Sequence, residues 1–172
     1  MALTPDFDSF AARHAGGHHQ VVYTRLAADL DTPVSLMLKL GGAAGEVRGR
    51  YSIIGMKPDL IWRCRGTTSE VNRAARYDPD AYAPVEGDPL DALRGLIAES
   101  KIDLPSDLPQ AAAGLFGYLG YDMIRLVERL PNVNPDPLGL PDAVMLRPSV
   151  VAVLDGVKGE VTVVSPAWVT EG

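Results

Sequence analysis

Arg50, Tyr51 and Ser52 stand side by side among apolar residues and together offer a guanidinium, a phenol and a hydroxyl to a ligand. Residues 50–54 and 60–64 are rich in aromatic and β-branched types, and Gly55-Met-Lys-Pro-Asp59 between them has the composition of a turn. That pattern predicts a β-hairpin. Successive strand residues face opposite ways, so Arg50 and Ser52 share one face and Tyr51 takes the other. A polar face on an apolar hairpin suits a small ligand. The alternative is that Arg48 and Arg50 are solvated and Ser52 is a strand hydroxyl satisfied by its neighbours.

Other reactive types are sparse. His14 and His18 are four apart and His18 and His19 adjacent, but no carboxylate or cysteine stands with them at metal-ligand spacing. The single cysteine, Cys64, sits inside a strand pattern and reads as a small buried hydrophobe, and one cysteine excludes an internal disulfide. Gly114-Leu-Phe-Gly-Tyr-Leu-Gly-Tyr-Asp122 places a glycine at every third position of an aromatic run. The order differs from a dinucleotide fingerprint, which needs a strand, then Gly-x-Gly-x-x-Gly, then a helix. Glycine within a strand marks close backbone approach, so residues 112–119 read as a strand packed tightly on a neighbour.

The elements that would position these groups follow from periodicity and caps. Phe7, Phe10, Ala11 and His14 suit a short first helix ended by Gly16-Gly17, and residues 20–26 form a strand. Asp31-Thr-Pro33 opens a helix through residue 40 with Leu36, Met37 and Leu40 as its stripe, followed by Gly41-Gly-Ala-Ala-Gly45 as a turn or joint. Residues 67–73 add a third antiparallel strand, and residues 76–87 form a polar loop. Asp88-Pro-Leu-Asp91 caps a helix with Leu90, Leu93, Leu96 and Ile97 buried. Residues 121–128 turn helical before Pro131. A last hairpin joins residues 144–154 to 160–166 across Asp155-Gly-Val-Lys-Gly159, with Trp168 packing on it. Strands in groups with few βαβ repeats define an α+β fold, an antiparallel β-sheet with flanking helices.

At 172 residues and 47% hydrophobic content the chain supports one core, read as a single domain over residues 1–172. Sixteen basic and twenty-two acidic residues give a net charge of −6, with no basic cluster for nucleic acid. No apolar run of eighteen residues is present and the N-terminus lacks a leader pattern, which argues for a cytoplasmic protein without a membrane partner.

Two motifs, Gly49-Arg-Tyr-Ser-Ile-Ile-Gly55 and the glycine run at 114–122 with the Pro-rich stretch at 130–141, together resemble the N-terminal region of the anthranilate synthase large subunit (component I). Order and spacing match over nearly the whole chain. The related large subunits of aminodeoxychorismate synthase share a weaker version of both. The resemblance implies an antiparallel sandwich that wraps a C-terminal chorismate-binding region. It implies Mg²⁺ in the full-length enzyme and a glutamine amidotransferase subunit as the ammonia source. It also implies a tryptophan effector pocket beside Tyr51 and Ser52.

On this reading residues 1–172 carry no catalytic residue, no metal ligand and no cofactor of their own, because the chorismate-binding region would follow Gly172. The family's Leu-Glu-Ser element before Gly-Arg-Tyr-Ser is replaced by Leu38-Lys-Leu40 and the glycine-alanine joint at 41–45, a loss of roughly one strand and its turn. Tryptophan binding is therefore expected to be weak or absent. The competing readings are a free-standing amino-acid or aromatic-acid binding module, and a structural domain without a ligand.

Overall fold

The computed structural model describes residues 2–28, 35, 51–131 and 135–169. The helix expected at 33–40, the joint at 41–45, and Arg48 and Arg50 lie outside them, apart from Ser35. Among the described residues seven strands form an antiparallel sheet: β1 (Gln20–Ala27), β2 (Tyr51–Arg65), β3 (Thr68–Asn72), β4 (Tyr82–Val85), β5 (Phe116–Leu119), β6 (Ala143–Asp155) and β7 (Glu160–Ala167). Along the hydrogen-bonded path the order is β1-β7-β6-β2-β3-β4, with β5 on β6. The helices with both ends among the described residues are α1 (Phe7–Ala15) and α2 (Pro89–Glu99), with 3₁₀ turns at Gln110–Ala112 and Tyr121–Leu126. The mixed α and β class with antiparallel pairing is as the sequence predicts. No helix among the described residues is long and apolar enough to cross a membrane.

The chain divides into two compact units. The first comprises residues 1–57, 102–113 and 149–172. Here β1 runs antiparallel to β7 from Gln20↔Ala167 to Ala27↔Glu160, and β6 pairs with β7 from Val151↔Val164 to Asp155↔Glu160. Alternation on β6 buries both faces. Val151 and Val153 join Val21, Tyr23, Leu108, Ala112 and Val164, while Ala152 and Leu154 join Ala28 and Val161, with Ile54 and Met56 packed alongside. The β6–β7 turn works through Asp155, whose Oδ1 accepts from the Val157 and Lys158 amides, and Gly159 at φ 62. Asp6 caps α1 by accepting from the Ser9 amide, but no residue of this helix is buried and Phe7 is 80% exposed.

The second unit comprises residues 58–101 and 114–148. Leu60, Trp62 and Cys64 on one face of β2 pack with Leu93 and Leu96 of α2, Met123 and Ala143. Asp88 caps α2 as expected, accepting from the Leu90 and Asp91 amides with Pro89 in the first turn. Ile97, assigned to the buried stripe, is instead half exposed.

The expected hairpin at residues 50–64 does not form. β2 is one strand of 15 residues, and Gly55 to Asp59, despite their turn chemistry, are strand. Lys57 alone takes a left-handed φ of 50. The groups a turn would use are claimed by β6: Ser149 Oγ donates to the Lys57 carbonyl at 2.6 Å, and Arg147 grips Asp59 with Nε–Oδ1 at 2.9 Å and Nη2–Oδ2 at 3.2 Å. Long-range partners override the local preference. The chain reverses later, at Gly66-Thr67, where Arg65 opposes Thr68 and Gly66 has φ 55, the positive value a two-residue hairpin turn needs at its first central position. A second departure is β4, within the stretch expected to be loop. Tyr82 opposes Asn72, and the Arg63 guanidinium lies 3.6 Å from the Tyr82 ring centroid.

The glycine run behaves as predicted, though its strand is shorter than expected. β5 pairs with β6 so closely that a methyl group at Gly117 would sit 1.9 Å from the Val144 carbonyl oxygen, and one at Gly120 would sit 2.7 Å from that of Asp142. Gly117→Ala therefore requires the β5 backbone to move away from β6 and should lower stability by about 1–3 kcal/mol or more. Gly95, on the exposed side of α2 with open space around it, should behave oppositely, Gly95→Ala gaining about 0.5–1 kcal/mol. Urea denaturation of the two variants checks the opposed signs.

Candidate functional site

Tyr51 and Ser52 open β2, and alternation sends them to opposite faces. Tyr51 is 41% exposed, with Ile53 on the same side at 38%. Ser52 is half-buried and shares its side with Ile54 and Met56, which pack against Ala28, Ala152, Leu154 and Val161. The face carrying Ser52 is thus apolar over its described length. The hydroxyl stands at the rim of a packed layer, and the guanidiniums of Arg48 and Arg50 lie outside the described residues.

The remaining reactive groups are engaged structurally. Cys64 is fully buried, burial pushes its thiol above its ordinary pKa, and its Sγ lies 3.5 Å from the Gly66 carbonyl oxygen. The thiol is an inert part of the core. His14 stacks on Phe10 with ring centroids 5.6 Å apart. His19 meets Trp168 edge-on at 5.3 Å and its Nδ1 accepts from the Val169 amide, which places Trp168 beside β1. Among the described residues no three His, Cys, Asp or Glu side chains gather as a metal site.

Asp142 is a junction that sequence reasoning missed. Its amide donates to the Cys64 carbonyl at 2.8 Å, its carbonyl accepts from the Gly120 amide at 2.7 Å, and its Oδ2 accepts from the Gly66 amide at 2.6 Å. One residue thereby fixes the end of β2, the β2–β3 turn and the end of the glycine run. Arg65 reaches the Gly139 carbonyl and Tyr118 the Pro141 carbonyl nearby, at 2.5 and 2.8 Å. Nothing local in the sequence marks Asp142, because its partners come from segments far apart in the chain.

A charged chain in the same unit was also missed. Arg147, with a side chain only 11% exposed, pairs with Asp59 and approaches Glu99 at 3.5 Å, while Arg73 grips Glu99 in a two-point contact at 2.5 and 2.8 Å. The hydrogen bond from Arg73 is the main cause that holds the Glu99 carboxyl below the usual carboxylate range. In the first unit, Asp107 is held low in the same way by Arg25 and also accepts from the Tyr23 hydroxyl.

These arrangements define an antiparallel sheet whose glycine strand is clamped to its neighbour. No family model matches the sequence. It is 66% identical over 177 residues to anthranilate synthase component 1 of Cereibacter sphaeroides, covering 96% of this chain and 35% of the relative. Against the protein of that name from Thermus thermophilus it is 36% identical over 157 residues, covering 81% of this chain and 30% of the relative. The crystal structure of anthranilate synthase component I from Streptococcus pneumoniae TIGR4 shares the fold, with a TM-score of 0.58 at 24% identity over 86% of this chain and 32% of that one. The chain is a homologue of the N-terminal region of anthranilate synthase component I. It spans about a third of the length of the relatives it matches.

Because Glu99 and Asp107 are more acidic folded than unfolded, their contribution is present above the unfolded carboxylate range and is lost as pH falls through the folded values. The melting temperature should be level from about pH 7 to 5 and fall below about pH 4. Glu99→Gln should lower it at neutral pH and make the acid-side fall shallower, which thermal melts across that range check.

Proposed function

We propose that this chain is the regulatory and structural N-terminal part of an anthranilate synthase large subunit, inactive by itself and impaired in tryptophan feedback. The observation that carries the reading is the 66% identity, sustained over 96% of the chain, to a protein named anthranilate synthase component 1. In the enzyme so named, chorismate and ammonia give anthranilate and pyruvate. On this reading a chorismate-binding region and a glutamine amidotransferase subunit are the partners of this chain, and Mg²⁺ belongs to the former. The exposed Tyr118, Leu119, Tyr121, Leu138 and Leu140 are apolar surface that such a partner would cover.

Impaired feedback rests on the joint at residues 41–45. The aligned stretch with the Cereibacter relative, 177 residues, exceeds the 172 residues of this chain, so the relative carries residues that this chain lacks. A missing Leu-Glu-Ser strand removes the carboxylate for the ammonium of tryptophan, and one lost charge-assisted hydrogen bond weakens binding about ten- to hundredfold. The apolar surroundings of Ser52 supply no replacement acceptor among the described residues of its face.

Two measurements test the proposal. Incubated alone with chorismate, Mg²⁺ and ammonia, purified chain should give no anthranilate fluorescence above the control, and a signal that copurifies with the chain would refute the inactive reading. Calorimetric titration with L-tryptophan should give no heat from the chain as it stands and measurable heat after a Leu-Glu-Ser strand is inserted behind Ala44. Micromolar binding by the unaltered chain, abolished by Ser52→Ala, would show that β2 suffices.

A further inference from the structure

Lys57 holds a backbone conformation that its sequence opposes. Among the described residues it is the only non-glycine residue at positive φ, and it precedes Pro58, whose ring pushes the residue before it towards extended values. Such an outlier persists only where its surroundings over-determine it, and outliers of this kind gather at switches. The backbone ladder is weakened here, because Pro58 on β2 and the fully buried Pro148 on the hydrogen-bonded neighbour β6 bring no N–H to it.

Side chains of β6 take over from the ladder. Ser149 Oγ donates to the Lys57 carbonyl at 2.6 Å, and Ser149 is held in turn by the Ser165 hydroxyl, which donates to its carbonyl at 3.1 Å. Arg147 grips Asp59 at 2.9 and 3.2 Å. Against these contacts stands the turn chemistry of Gly55 to Asp59. A turn with Pro58 at its second position uses the fixed φ of proline, accepts Asp59 at its third and returns Lys57 to extended backbone. Arg147 also has a second carboxylate within reach: Glu99 lies 3.5 Å from its Nη1, fixed by the two-point contact from Arg73. One guanidinium is thus shared by two carboxylates, and its bond to Asp59 is the one that keeps residues 55–59 extended.

We propose that residues 55–59 are a two-state element, strand while Arg147 and Ser149 hold Asp59 and Lys57, and turn when Arg147 withdraws to Glu99. In the turn state Ile54 and Met56 leave Ala152, Leu154 and Val161, so the choice made by Arg147 decides whether the first part of β2 stays packed. The inference rests on the backbone and contacts of these strands and is independent of the reading as part of a larger enzyme.

The test is hydrogen exchange of the full chain read by mass spectrometry, comparing a peptide over residues 51–57 with one over residues 60–65. Exchange reports the population of locally opened states, so residues 51–57 should exchange the faster. Asp59→Asn should speed exchange of 51–57 about tenfold or more and Ser149→Ala about threefold or more, both leaving 60–65 unchanged. Glu99→Gln should act with the opposite sign. It removes the alternative partner and leaves Arg147 with Asp59, so 51–57 should exchange about threefold or more slowly even though the variant melts at a lower temperature. A contact that merely stabilised the fold would instead speed exchange in both peptides. Circular dichroism confirms the folded state of each variant. Exchange of 51–57 that neither Asp59→Asn nor Ser149→Ala alters, or that rises equally in 60–65, overturns the proposal. Faster exchange of 51–57 in Glu99→Gln overturns it equally.

Discussion

The second unit depends on how near the β5 backbone comes to β6. At Gly117 there is no room for a single methyl group beside the Val144 carbonyl, and at Gly120 the neighbouring carbonyl of Asp142 is almost as close. Such an approach is open only to glycine, and it lets the Gly120 amide reach Asp142, which in turn holds the Cys64 carbonyl and the Gly66 amide. Three segments far apart in sequence are thereby tied through one residue. Each neutral hydrogen bond contributes only about 0.5–1.5 kcal/mol net, and those to the charged carboxylate more. A backbone clash at 1.9 Å has no comparably small remedy, so steric exclusion rather than bond strength dictates the glycine pattern.

The ion pairs rank below this constraint. Arg147–Asp59 is the most buried of them, yet a buried pair gains little over apolar residues of the same shape and is costly chiefly when one partner is removed. Its structural consequence is larger than its energy: it keeps Asp59 in β2 and denies the chain the turn that Gly55 and Pro58 would otherwise favour. Surface pairs such as Arg94–Asp91, with both side chains more than 70% exposed, contribute little.

Much of this was legible from residue types. Asp88-Pro89 marked the start of α2, the glycines of 114–120 marked close approach, and the turn Asp155-Gly-Val-Lys-Gly159 marked the last hairpin, because each signal is local and physically forced. The turn at residues 55–59 was misread because its composition is satisfied only in the absence of Arg147 and Ser149, some ninety residues away. β4 was hidden for the same reason: Tyr82 and Pro84 are strand residues only once β3 lies beside them. The resemblance to anthranilate synthase component I was legible from two motifs because both are tied to backbone geometry or lie on a long central strand.

The reading as a regulatory part of a larger enzyme makes a demand on function that no property of the isolated chain can meet. The direct measurement is a chimera in which this chain replaces the matching region of the Cereibacter sphaeroides relative, assayed for anthranilate formation with and without L-tryptophan. The account predicts an active enzyme whose inhibition by tryptophan is weakened at least about tenfold relative to the parent, the loss expected for one missing charge-assisted contact. A chimera that folds but forms no anthranilate, or one inhibited by tryptophan as strongly as the parent, would contradict it.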